Sequence, residues 1–162
     1  MRRRPFIKRL LGISMLAVGV AACGSSGSSA SPSGLWLAAN WSGTLSHAIP
    51  GGTRTASMAT TLNQSSTTIR GAVSVTPQGG LVPVYGTILG TLSGTQFTFT
   101  VTVPAGAFTA YGSSTCSLTG TSTATASATS ISGTLSETFS AACVGSVTDS
   151  ATQTEQLSLT KQ

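Results

Sequence analysis

Beyond about residue 34, apolar side chains alternate with hydroxyl side chains at period two, and no stretch repeats at the helical period of 3.6. Period two belongs to a β-strand, where successive side chains point to opposite faces. One phrase recurs in this rhythm: Trp41-Ser42-Gly43-Thr44-Leu45-Ser46, Ile69-Arg70-Gly71-Ala72-Val73-Ser74 and Ile131-Ser132-Gly133-Thr134-Leu135-Ser136, with weaker copies at Val84 to Leu89 and Leu118 to Ser122. Each copy reads apolar, polar, Gly, Thr or Ala, apolar. In a strand, the two apolar residues and the glycine between them share one face. A glycine on that face lets the strand coil tightly, as a small curved barrel requires.

Turn residues divide this region into eight expected strands, at about 38–47, 54–62, 68–76, 81–92, 95–103, 114–128, 131–143 and 151–161. Eight strands in sequential hairpins predict an all-β fold: a single small antiparallel eight-stranded up-and-down barrel. A two-sheet β-sandwich is the alternative. A hairpin turning at Thr129-Ser130 would set Cys116 opposite Cys143, Gly120 opposite Phe139 and Leu135 opposite Ala124, so that an aromatic ring covers a missing side chain. A hairpin turning at Ser93-Gly94 would pair Gly90 with Phe97, Ile88 with Phe99 and Gly86 with Val101. Gly86, Gly90 and Gly94 also spell GxxxGxxxG, a motif of membrane helices that has no meaning inside a hairpin.

Upstream of the strands the chain changes character. Arg2, Arg3, Arg4, Lys8 and Arg9 precede an apolar run from Leu10 to Ala22, which ends in small residues and Cys23. This order is that of an export signal. Its apolar part, as a helix, would rise only about 20 Å, short of the roughly 20 residues that a stable span needs. Val20-Ala21-Ala22-Cys23 resembles the lipobox of the bacterial lipoprotein signal family. The resemblance implies cleavage before Cys23 and a diacylglyceryl group on it. The alternative is a plain secretory signal with an unmodified cysteine. Gly24 after the cysteine, rather than an aspartate, resembles outer-membrane sorting if the host has two membranes. The domain division expected is therefore a signal peptide at 1–22, a lipidated cysteine and Ser/Gly tether at 23–34, and the β domain at 35–162. A tether of about eleven flexible residues spans roughly 18 Å.

Charge and cysteine usage narrow the function classes. The net charge of +5 sits in the first nine residues; after Cys23 only Arg54, Arg70 and Lys161 are basic, against Glu137, Asp149 and Glu155. No basic stripe exists to displace counterions from a phosphate backbone, which excludes nucleic acid as a partner. Three cysteines in an exported chain leave one odd thiol unless Cys23 is otherwise employed. Cys116 and Cys143 then remain as an expected disulfide in a permissive compartment, with two buried free thiols as the alternative. One His and three acids, far apart in sequence, do not suggest an enzyme or a metal site, and no cofactor is implied.

The meander sorts the connections. Segments 48–53, 77–80, 104–113 and 144–150 share one end and make a mouth, over which the segment with Phe108 and Tyr111 is long enough to act as a lid. The tether enters at the opposite end, so the mouth should face away from the membrane, towards the periplasm or the exterior. Arg54, His47, Glu137 and Glu155 share parity with inward apolar neighbours and are candidate ligand contacts at the mouth. Buried charges cost energy unless paired, so Arg54 with Glu partners reads either as a structural pair or as an anchor for the polar end of a ligand. The domain also resembles the calycin group, the lipocalin and avidin barrels, in having a Trp near the start of strand one and a cation near the end of the last strand. Trp41 and Lys161 match, whereas the lipocalin glycine two before the Trp is Ala39 here. The resemblance implies a cation–π pair at a closed base. Two functions of different class follow: a lipid-anchored monomer whose barrel binds a small apolar or amphipathic molecule, and a non-catalytic structural or adhesive envelope module with a filled core.

Overall fold

A computed structural model describes residues 34–80, 82–148 and 150–162. The signal segment, Cys23 and the tether up to residue 33 lie outside the described residues, as do Leu81 and Asp149. Eight strands follow one another: β1 Ala39–Ile49, β2 Gly52–Ser65, β3 Thr68–Pro77, β4 Val84–Ser93, β5 Gln96–Val103, β6 Leu118–Ala126, β7 Ser130–Phe139 and β8 Thr152–Lys161. Each pairs antiparallel with its neighbours in sequence, and β8 closes on β1. The closed ring excludes the sandwich and leaves no strand edge in need of a partner. Among the described residues, all eight strands close one ring around one buried core that runs from Leu37 to Leu159.

The period-two alternation becomes inside and outside. Along β6 and β7 the inward set is Leu118, Ser122, Ala124, Ala126, Ile131, Leu135 and Phe139, all buried, and the hydroxyl residues between them are exposed. An apolar interior with a hydroxyl-bearing exterior is the inverse of a barrel whose outer face meets lipid. Glycines of the recurring phrase stand at close strand approaches. A Cβ on Gly43 would lie 1.9 Å from the Ser158 carbonyl oxygen, across the seam where the ring closes.

Two hairpins sit two residues away from the expected register. In the β6–β7 pair Gly120 faces Glu137, Leu135 faces Ser122 and Phe139 faces Leu118. The reason is the turn: the Ser127 hydroxyl accepts from the backbone N–H of Ser130 at 2.9 Å and of Thr129 at 3.2 Å, centring the reversal on Ala128-Thr129. In the β4–β5 pair Gly90 faces Phe99 and Ile88 faces Val101. Here Gly94 takes the left-handed φ of 62° at the first central position of a two-residue turn, with Thr95 second. A slip of two preserves parity, so inside and outside are unchanged.

Strand ends also differ from expectation. β6 begins at Leu118 rather than near 114, and β7 ends at Phe139 rather than 143. Cys116 and Cys143 nonetheless form a disulfide, with Cα atoms 4.7 Å apart. It joins the connection after β5 to a short 3-10 turn, Ala141–Cys143, rather than rung to rung of a hairpin. The expected longer loop at 48–53 is a tight turn through Pro50 and Gly51, because β1 and β2 stay paired out to Ile49 and Gly52.

One end is plugged. Leu37, fully buried, precedes β1, and its carbonyl accepts the Trp41 indole N–H at 2.9 Å. The Gln64 carboxamide accepts from the Leu37 N–H at 2.7 Å and donates to the carbonyls of Leu35 and Ser66. Trp41, Leu62, Ile69, Leu92, Phe97 and Ile131 fill the barrel above this plug.

Candidate functional site

The other end is hollow. A cavity of about 790 Å³ occupies the mouth half of the barrel, with Leu45, Met58 and Leu135 at its deeper side. That volume lies within the range of pockets that enclose small molecules. The hollow follows from side-chain size: Ala56, Val75, Val84, Val101 and Val103 face it where the base half carries Trp and Phe. Phe108 covers it from the connection between β5 and β6.

Its wall has two chemistries. From β3 round to β6 the lining is apolar, through Val75, Val84, Val101, Val103 and Leu118. The polar groups gather on β7, β8, β1 and β2, which are consecutive around the ring: Glu137, Gln153, Glu155, His47 and Arg54. Glu137 faces Gln153 across β7–β8, and His47 faces Arg54 across β1–β2. The Gln153 amide donates to Glu137 Oε2 at 2.8 Å and to Glu155 Oε1 at 3.3 Å. His47 Nδ1 lies 2.8 Å from the Thr154 carbonyl oxygen, on the strand that carries Glu155.

Burial decides the ionisation of this arc. Glu137 is 6 % exposed. Loss of hydration, reinforced by the charge of Glu155, pushes its carboxyl up to about 7, against smaller opposing effects of the Gln153 hydrogen bond and of His47. Burial also raises Glu155, opposed by His47. The charges that act are therefore Glu155 and His47 on Glu137, and His47 on Glu155. Arg54 lines the rim with an exposed side chain and is not among them, so the Arg–Glu pairing expected as one alternative is replaced by a Glu–Glu–His arrangement.

The remaining sequence candidates fall in three places. Phe108 is buried against the cavity, but Tyr111 is turned aside, its hydroxyl donating to the Val82 carbonyl in the β3–β4 connection. Together with the disulfide, this ties the β5–β6 connection to the β3–β4 and β7–β8 connections. Trp41 and Lys161 are direct partners across β1–β8 at the plugged end; the indole is buried and Lys161 is exposed. Sequence reading missed Gln153, the residue that bridges the two acids. Its parity with Glu155 and Leu157 was the available signal. Among the described residues, no three His, Cys, Asp or Glu side chains gather to hold a metal ion.

Comparisons with family models, with curated proteins and with solved structures give no match. The reading of the site therefore rests on its own geometry.

Proposed function

We propose that this chain is an exported, lipid-anchored envelope protein whose barrel takes up a small amphipathic molecule through its mouth. The observation that carries the binding reading is the hollow mouth half, about 790 Å³ with an apolar wall facing a polar arc. A structural module gains nothing from such a chamber, since interiors that serve stability alone are filled to crystal-like density. An apolar body with one polar end fits it: hydrocarbon against Val75, Val84, Val101 and Val103, and the polar end on the Glu137–Gln153–Glu155 arc.

The anchoring reading rests on the cationic start, the apolar run and Val20-Ala21-Ala22-Cys23. The tether joins the barrel at its plugged end, which would turn the mouth away from the bilayer. Cys23→Ser should abolish lipid-dependent partitioning into a detergent phase; a variant that still partitions would remove the anchor from this reading.

Native mass spectrometry of the processed chain, released gently from the host envelope, tests the binding function. A stoichiometric small molecule that leaves on denaturation is the expected result. An unladen mass, unchanged after incubation with an envelope lipid extract, would overturn it and favour the structural or adhesive module.

A further inference from the structure

The polar arc sets two carboxyls against one imidazole, His47, and burial still raises both acids. Two carboxyl groups project into the chamber from β7 and β8, and among the described residues the side-chain amide of Gln153 is the donor they share. An ionised carboxylate has about four lone-pair sites, so most of the capacity of the pair is unmatched. Gly120 on β6 faces Glu137, so the position directly opposite on that strand offers no side-chain donor. The chain's own donors therefore match the two carboxyls only in part.

The charged and titratable groups around Glu137 are few. Glu155 comes from β8, His47 from β1 and Arg54 from the rim of β2, while β6 contributes none. Arg54 is exposed and does not offset the acids. An anionic head seated at this depth would meet two carboxyls in an apolar surrounding, where like charges repel strongly. A primary ammonium brings three N–H donors and a positive charge, and hydrogen bonds between ionised partners are the strong ones.

We propose that the ligand of this chamber is an amphiphile with a cationic amine head, seated between Glu137 and Glu155, with its hydrocarbon against the β3–β6 wall. This identifies the ligand class of the binding reading above and rests on it. Burial holds Glu137 partly protonated near neutral pH, and a seated ammonium would drive it to the charged form.

The test is calorimetric titration of the processed chain, released gently from the host envelope, at pH 8 with three probes of equal chain length: decylamine, decanol and decanoate. The expected result is binding of decylamine at least tenfold tighter than decanol, with decanoate weakest. In the Glu137→Gln, Glu155→Gln double variant the amine should lose that advantage while decanol binds as before. Decanol or decanoate binding as tightly as decylamine to the unaltered protein would overturn the amine head and leave the binding barrel standing. If none of the three binds, both the amine head and the binding barrel fall. The unaltered protein alone decides among these outcomes, whatever the stability of the double variant.

Discussion

The Gln153 amide donates to the Glu137 carboxylate at 2.8 Å across β7–β8, near the mouth of the barrel. This bond holds an ionised form that burial and Glu155 otherwise oppose, and opposition wins: the carboxyl titrates near 7. In the unfolded chain the same group titrates near 4.5. The folded state therefore binds the proton more tightly, and its stabilising effect is complete below the unfolded value and lost as pH rises through the folded one.

Urea unfolding should accordingly show stability falling between about pH 4.5 and 7 and levelling above. The loss attributable to this group is up to ~3 kcal/mol. Glu137→Gln should flatten the slope and be the more stable protein at pH 8. A slope unchanged in the variant would assign the effect to another group.

The disulfide closes a loop with a sequence separation of 27 and fastens the β5–β6 connection to the turn after β7. Replacing both Cys116 and Cys143 by Ser should cost about 3.5 kcal/mol, read from the urea midpoint against the oxidised protein. Because the bridge lies outside the strands, hydrogen exchange should quicken first in the connections at 104–117 and 140–151, with the strand ladder following only at global unfolding.

Two glycines of the recurring phrase should respond differently to alanine. At Gly43 the added carbon would press on the backbone of Ser158 and Leu159, at 1.9 and 2.8 Å, where the ring closes. At Gly120 it meets only the Leu135 side chain, at 3.0 Å. Gly43→Ala should destabilise by ~3 kcal/mol or more and Gly120→Ala by about 1 kcal/mol, compared by melting temperature. Equal costs would mean that the β1–β8 seam is more pliable than the other strand pairs.

Gln64 ties the entering chain to the base through the Leu37 N–H and the carbonyls of Leu35 and Ser66. Gln64→Ala removes these bonds, leaves the buried Leu37 N–H unmatched and should cost about 1–3 kcal/mol. The same variant should expose residues 34–38 to protease under native conditions; a cleavage pattern identical to that of the unaltered protein would show that Leu37 and Trp41 hold the plug without it.

Much of the fold was legible because strand parity is a local property. The alternation around Leu135, Glu137 and Phe139 marks these residues as inward whatever lies opposite them. Register was not legible, since a slip of two leaves that alternation intact. It was decided by the Ser127 hydroxyl and by the left-handed backbone at Gly94, which act on turns rather than on strands. In the site, Glu137, Glu155 and His47 came from parity alone, whereas Gln153, a neutral residue, carried no electrostatic reason to be singled out. Tyr111 shared a segment with Phe108, but which of the two rings turns inward depends on the path of the 3-10 turn, Thr109–Tyr111.

By itself the sequence determined the number of strands, their inward faces and the pair of cysteines, because each follows from spacing along the chain. Only the tertiary structure decided that β8 closes on β1, that the base fills and the mouth stays hollow, and that Glu137 loses its water. Those outcomes depend on the summed volumes of side chains brought together from all eight strands, and on the low dielectric they create around a carboxyl.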